Sequence, residues 1–213
     1  MTATLQYHLK RGLEIMGLAL TVKEMSTLLI LIKELEKWNK IFSFTSLSSP
    51  QDMIEIFILD SLTPLALGVD LTSPVLDAGS GPGFPSLPLK ITIPSLEITA
   101  VDSSRKKTNF AKQMVRLLRL QGFTPLQERL ESLIKEERTY PTVISRALTG
   151  KANTSDLISH LAASGGRVIQ YIGKEKLVSP NPISPNLRLQ RVLEYQLPLS
   201  RKIRGLVIAE KVD

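Results

Sequence analysis

The 213-residue chain has no cysteine and only two histidines, His8 and His160. Disulfide staples are excluded, and a metal centre built from thiolate and imidazole has too few ligands to form. Long apolar runs are missing too. None reaches the ~18 residues of a membrane span, and the opening Met1-Thr2-Ala3-Thr4-Leu5-Gln6-Tyr7-His8 lacks the charged-then-apolar profile of a signal peptide. A cytoplasmic, membrane-free monomer without metal is expected. Acidic residues are in deficit, with 20 against 27 basic ones and a net charge of +7. That balance favours polyanionic partners, RNA or DNA, through phosphate contacts and counterion release. Internal repeats and low-complexity tracts are absent. The length suits one α/β domain of about 140 residues with a helical segment before it, and leaves no room for a second catalytic domain.

Against these absences stands one concentrated motif, Val75-Leu76-Asp77-Ala78-Gly79-Ser80-Gly81-Pro82-Gly83-Phe84. An apolar strand delivers an acid and three closely spaced glycines to a turn before a helix. Glycine has no Cβ to block a ligand and tolerates positive φ, so such a loop suits a nucleotide cofactor. A dinucleotide fingerprint reads G-x-G-x-x-G, whereas here the third glycine comes one place early and Phe84 takes the final position. Alternate glycines suit S-adenosylmethionine, which has no pyrophosphate to cradle. About 20 residues further on, Leu96-Glu97-Ile98-Thr99-Ala100-Val101 ends in Asp102, where a carboxylate can accept from two ribose hydroxyls. An ordinary tight turn and a helix cap would explain each signal separately, but not their coincidence.

The surrounding pattern is consistent with an α/β fold. Thr21-Val22-Lys23-Glu24 resembles a capping box before Leu28, Leu31, Ile32, Leu35 and Trp38 at helical spacing. Ser49-Pro50 opens another helix with Ile54, Phe57, Ile58 and Leu62 as its buried stripe, and Thr63-Pro64 is expected to end it. Strands are then predicted at 75–78, 96–102, 123–127, 141–146 and 166–172, alternating with helices at 85–91, 104–120, 130–136 and 154–163. Such alternation implies a mostly parallel sheet covered on both faces. The proline-rich stretch 179–185 reads as a loop at the carboxyl edge of the sheet. Runs 187–197 and 202–211 read as an antiparallel edge addition joined by the basic Ser200-Arg201-Lys202-Ile203-Arg204. The chain thus divides into a helical segment, 1–72, and a cofactor-binding domain, 73–213.

An ordered set of residues resembles one family. It begins at Trp38-Asn39-Lys40 and Asp60-Ser61-Leu62, and is strongest from Asp77 to Pro85. It continues with Val101-Asp102-Ser103, Lys106, Lys107 and Phe110, then Arg129-Leu130-Glu131, Ser145-Arg146-Ala147, Gly165-Gly166 and the run from Arg204 to Lys211. This set is similar to the bacterial small-subunit ribosomal RNA guanine-N7 methyltransferases, the RsmG or GidB family. The resemblance implies a Rossmann-like class I S-adenosylmethionine-dependent methyltransferase fold. It implies that Asp77, Gly79, Ser80, Gly81, Gly83 and Phe84 hold the cofactor, with Asp102 and Ser103 at its ribose and Leu130 and Glu131 at its adenine. Arg146 would stand between cofactor and substrate as a positioning group, and small-subunit ribosomal RNA or the subunit itself would be the partner. Four positions depart from the family pattern: Phe57 replaces a histidine, Leu130 an alanine, Ser43 an asparagine and Ile172 a lysine.

The chemistry narrows independently. Methylation at carbon 5 of a pyrimidine generally needs a thiolate, which this chain lacks. Exocyclic amine methylation generally uses an acid or amide followed by two prolines and an aromatic residue, where this chain has Ser145-Arg146-Ala147-Leu148. Guanine N7 presents an exposed lone pair and needs no general base, so positioning would supply most of the catalysis. Arg105, Lys112, Arg116 and Arg119 fall on one side of the helix after Asp102 and are candidates for RNA contact, although the same stripe also reads as a solvated face. Lys10, Arg11, Arg201, Lys202 and Arg204 are further candidates. A small-molecule methyltransferase and a cofactor-binding ribosome assembly factor are the alternative functions.

Overall fold

The computed structural model describes residues 2–146, 154–178 and 184–212. Two helices open the chain, α1 (Thr2–Ile15) and α2 (Val22–Phe42). The capping box forms as expected: the Glu24 amide donates to Thr21 Oγ1 at 3.2 Å and the Thr21 amide to Glu24 Oε2 at 2.7 Å. Leu28, Leu31, Ile32 and Leu35 are fully buried, while Trp38 is half-buried with its ring edge-on to Phe110, 5.6 Å between centroids. The helix ends with Ser43 in the left-handed region at φ 51°. Asparagine, the usual family residue there, tolerates that conformation better than serine.

The helix expected after Ser49-Pro50 is not uniform. It starts as α3 (Pro50–Met53), widens to a π-helix over Ile54–Leu59, tightens to a 3-10 turn over Asp60–Leu62, and resumes as α4 (Thr63–Ala66). Thr63-Pro64 therefore opens a turn of helix instead of ending one, because proline at the first turn lacks only an amide that has no intrahelical partner. Ile54, Ile58 and Leu62 are buried as the stripe requires, whereas Phe57 is only half-buried.

Seven strands form one sheet: β1 (Val75–Ala78), β2 (Ile98–Val101), β3 (Phe123–Leu126), β4 (Tyr140–Arg146), β5 (Ala162–Gly173), β6 (Leu187–Gln196) and β7 (Ile203–Lys211). Their order is β3-β2-β1-β4-β5-β7-β6. The first five run parallel, and β7 and β6 are antiparallel additions. Between them lie α5 (Ser86–Thr92), α6 (Arg105–Leu118), α7 (Leu130–Lys135), α8 (Thr154–Leu161) and α9 (Lys174–Val178). The last is a short helix that the sequence pattern does not announce. Strand β5 begins at Ala162, four residues earlier than expected, because the Gly165-Gly166 segment bulges between the pairings Tyr140↔Ala162 and Thr142↔Arg167. Of the predicted loop at 179–185, residues 179–183 lie outside the described residues. So do Ala147 and Leu148.

Alternation along the strands sorts the core onto two faces. Val75, Ile98, Ile144, Ile169 and Ile208 join α1, α2, the π-helical segment and α6 in one cluster. Leu76, Val101, Val143, Val168 and Ala209 join α7 and α8 in the other. Fully buried valine, leucine and isoleucine side chains of this kind contribute about 1.5–3 kcal/mol each. Among the described residues, no helix is long and apolar enough to cross a membrane.

Candidate active site

All five parallel strands end at one edge, and the antiparallel pair returns its turn, residues 197–202, to that same edge. The glycine loop leaves β1 there. Gly79, Gly81 and Gly83 have φ of 70°, 58° and 97°, the region where a side chain is strained. A Cβ on Gly83 would lie 2.5 Å from Leu87 Cδ1, whereas one on Gly81 would project into open space. Gly83 is thus required by packing, and Gly81 by its backbone conformation at a surface left free for a ligand.

Two carboxylates fix this loop. Asp102, just past β2, accepts from the Gly81 amide at 2.9 Å and the Ser104 amide at 2.8 Å, clamping the first loop to the second. Asp77 is fully buried and accepts from the Ser86 amide at 3.2 Å, anchoring the start of α5. Its Oδ1 and the Ser86 hydroxyl have no hydrogen-bond partner. Burial pushes the Asp77 carboxyl up to about 7, against the opposing pull of Ser86 and the Arg146 guanidinium.

The other half of the site is assembled from distant elements. Arg146, at the end of β4, donates through Nη1 to the Ile56 carbonyl at 2.8 Å and lies 3.6 Å from Asp60 Oδ2. Its guanidinium also sits 5.4 Å from the Phe57 ring centroid and 5.9 Å from that of Phe84, and the two rings are 4.8 Å apart. Arg146 therefore bridges the π-helical segment and the end of the glycine loop. Asp60 accepts from the Tyr195 hydroxyl at 2.6 Å, and the Tyr171 hydroxyl donates to the Ser61 carbonyl at 2.9 Å. Desolvation raises the Asp60 carboxyl above the usual range, while Arg146 and the Tyr195 hydrogen bond oppose the shift. The uneven helical pitch matters here, since it presents the Ile56, Phe57 and Ser61 carbonyls to side-chain donors.

Beside this network lies a cavity of about 390 Å³ lined by Phe57, Asp60, Arg146, Tyr171, Tyr195 and Arg204, with Glu175 and Lys176. Ile172 also lines it, so the lysine absent there leaves Lys176 and Arg204 as nearby cations. The cavity combines aromatic faces, cations and the engaged Asp60 carboxylate.

Placement of the remaining candidates is uneven. Ser103 is exposed beside Asp102, Leu130 is buried in the second core cluster, and Glu131 is half-buried in the first turn of α7. Arg105, Lys112, Arg116 and Arg119 are all exposed, opposite buried Phe110, Ala111 and Met114. Arg105 starts α6 near the loop edge, but the helix then runs about 20 Å away from it. Arg201 and Lys202 are exposed in the β6–β7 turn, and Arg204 is half-buried against the cavity. Sequence reasoning missed Tyr195, Tyr171, Glu55 and Glu128. Glu128 follows β3 and has a buried Oε2 without a partner, an open acceptor on the same edge. Its only sequence signal was an acid shortly after a predicted strand.

This strand order, with a glycine loop after β1 and a carboxylate after β2, defines a class I methyltransferase of the S-adenosylmethionine-dependent kind. Solved structures share the fold. The chain matches a mutant form of MtNAS in complex with S-adenosylmethionine at TM-score 0.60 and 13% identity, covering 85% of this chain and 73% of that one. It matches TrmN from Thermus thermophilus at TM-score 0.53 and 19% identity, over 65% and 43% of the two chains. The family model for GidB, rRNA small subunit methyltransferase G, matches residues 24–204. Proteins named ribosomal RNA small subunit methyltransferase G from Geobacter sp. (strain M21) and Geotalea uraniireducens (strain Rf4) are each 32% identical. The first covers 94% of both chains, and the second 100% of this chain and 99% of its own. The chain belongs to the GidB family of rRNA small subunit methyltransferases.

Proposed function

We propose that this protein transfers the methyl group of S-adenosylmethionine to N7 of a guanine in small-subunit ribosomal RNA. The observation that carries the reading is the Phe57–Phe84–Arg146 stack, which joins the glycine loop to the aromatic and cationic cavity. The donor site fits the cofactor: Asp77 keeps an unpartnered buried oxygen, Gly81 leaves open space, and Asp102 retains acceptor capacity beyond its two amides. Gly79, Ser80, Gly81, Gly83 and Phe84 would hold it, with Asp102 and Ser103 at the ribose and Leu130 and Glu131 at the adenine. When bound, it supplies an electrophilic methyl on a sulfonium centre.

The protein's own contribution is positioning. Guanine N7 attacks through a lone pair and loses no proton, so the reaction asks for no general base. Phe57, backed by buried Phe84, offers a stacking face for the purine, and Arg146, held by Ile56 and Asp60, orients it. The Asp60 carboxylate and the aromatic faces also favour the positive charge that builds on the purine ring as the N–C bond forms. Arg105, Lys112, Arg116, Arg119, Arg201, Lys202 and Arg204 are the proposed phosphate contacts. The helical segment 1–72 covers the domain 73–213, a reading supported by the Trp38–Phe110 contact. We assign the protein to the cytoplasm as a monomer, which its cysteine-free chain and light scattering of the purified protein can respectively support and test.

The deciding experiment is radiolabelled methyl transfer to small subunits that lack native methylation, followed by borohydride and aniline cleavage at 7-methylguanosine. Label with a single cleavage site is the expected result. Label without cleavage would move the reaction to another atom. Cofactor binding without any label would instead favour an assembly factor.

A further inference from the structure

A second cleft lies outside the methyl-transfer cavity. It has a volume of about 290 Å³ and separates α1 from the β6–β7 turn. Tyr7, His8, Arg11 and Ile15 line one wall, and Leu199 and Arg201 the other. Among the described residues, no acidic one lines it. Tyr7 is 64% exposed, a large aromatic face in water, and Ile15 is 46% exposed on the same helix. Neither the Arg11 nor the Arg201 guanidinium makes a hydrogen bond or ion pair among the described residues. Lys10, outside the cleft, is instead paired with Glu14 at 3.8 Å.

This cleft is built rigidly into the site already described. Glu55 is buried, and its Oε1 accepts from the Leu199 and Ser200 amides, both at 2.7 Å. The neighbouring residue, Ile56, is the one whose carbonyl holds Arg146. One stretch of π-helix thus positions the turn of the cleft and the guanidinium of the cavity together. The two spaces are also adjacent along the chain, since Arg201 lines the cleft and Arg204 lines the cavity. Three residues span at most about 11 Å, a separation that neighbouring nucleotides of one strand can bridge.

We propose that this cleft binds a nucleotide flanking the target guanine, with Tyr7 stacking on its base and Arg11 and Arg201 gripping its phosphate. Exposed aromatic faces interleaved with unpaired arginines are the chemistry by which proteins hold single-stranded RNA. The occupant is RNA and not an acidic protein segment, because each nucleotide brings a base face for Tyr7 and a phosphate for Arg11 and Arg201 together, whereas an acidic side chain brings the charge without a face to stack. The cleft would register the strand so that the next base enters the cavity. This inference rests on the ribosomal RNA reading above.

The test compares wild-type protein with Arg11→Ala/Arg201→Ala, Tyr7→Leu and Tyr7→Trp, using unmethylated small subunits at several salt concentrations. Affinity for the subunit should fall roughly 10–100-fold in the double arginine variant. The slope of log affinity against log salt should flatten by about 0.7 for each phosphate no longer neutralised. Tyr7→Leu should raise KM several-fold with little change in kcat, and Tyr7→Trp should restore it. Cofactor affinity by calorimetry and the melting temperature should stay at wild-type values in all three. Unchanged affinity and salt slope would overturn the proposal, as would weakened affinity with an unchanged slope, which would mean docking on ribosomal protein. If wild-type protein itself transfers no methyl to the subunit, the ribosomal RNA reading fails first and on its own.

Discussion

The two halves of the site are built in opposite ways. The half around β1 and β2 is made of backbone: a loop of eight consecutive residues from Asp77 to Phe84, clamped by a carboxylate about 20 residues away. The half around β4 to β7 is made of side chains from distant elements, with Arg146 reaching Ile56, Tyr195 reaching Asp60, Tyr171 reaching Ser61, and Leu199 reaching Glu55. A backbone cradle can be local because glycine geometry alone shapes it. A polar side-chain network must draw on several elements, since each buried group needs a partner that its own element does not supply. The Phe57–Phe84–Arg146 stack is the seam between the halves.

The contrast can be broken from either side. The largest effect is expected from Asp77→Asn in the backbone half. Its carboxyl rises from 3.8 to about 7 on folding, so between those values the native state binds more protons than the unfolded chain. Stability from this group is therefore full below pH 4 and lost as pH rises through 7, by on the order of 4 kcal/mol at most. Asp77→Asn should remove that decline: denaturant unfolding of the unliganded protein should show the variant gaining on wild type at pH 8 and not at pH 4. Cofactor affinity should nevertheless fall, since asparagine carries no charge. A variant with the wild-type pH profile would show that Asp77 is already paired.

Next comes the seam. Arg146→Lys keeps the charge and loses the planar group that stacks on two rings, so methyl transfer should fall about 10²–10³-fold. Cofactor affinity should change far less, and equal losses in the two would place Arg146 wholly with the glycine loop. Gly83→Ala should be smaller and opposite in kind. A side chain there is strained and meets Leu87, costing about 1–3 kcal/mol; cofactor binding measured by calorimetry should weaken while RNA affinity holds. Smallest is Tyr195→Phe, which leaves a buried Asp60 oxygen unpaired at a cost of about 1–2 kcal/mol. The melting temperature should drop by several degrees and turnover by a few-fold, with cofactor affinity unchanged.

Legibility followed the same division. The glycine motif, Asp102, the capping box at Thr21 and the alternating strands each depend on neighbours in sequence, and each was read to within a few residues. Arg146 was legible through the family resemblance as a positioning group at the end of a predicted strand, but Asp60 was identifiable as its partner only after folding brought them to 3.6 Å. The change of pitch across Ile54–Leu62 had no local signal, because the same apolar stripe suits α-, π- and 3-10 turns. Two of its carbonyls, Ile56 and Ser61, meet donors from distant elements, Arg146 and Tyr171. Phe57, a departure from the family's histidine, gains its meaning from Phe84 and Arg146 packed against it. The basic residues along α6 were visible as a stripe, yet only the direction of the helix shows that most of them lead away from the site.

By itself the sequence determined the glycine-loop half of the candidate site: the strand, the acid, the glycines and the second acid are a local code, because backbone conformation is set by adjacent residues and by the lack of a Cβ. It likewise determined the doubly covered sheet, through the apolar periodicity of its strands. Only the tertiary structure decided the half around β4 to β7. The hydrogen-bond partners of Arg146, Asp60 and Glu55 lie between 85 and 145 residues away in the chain, and buried charge finds its partner through packing in space, which no spacing along the chain records.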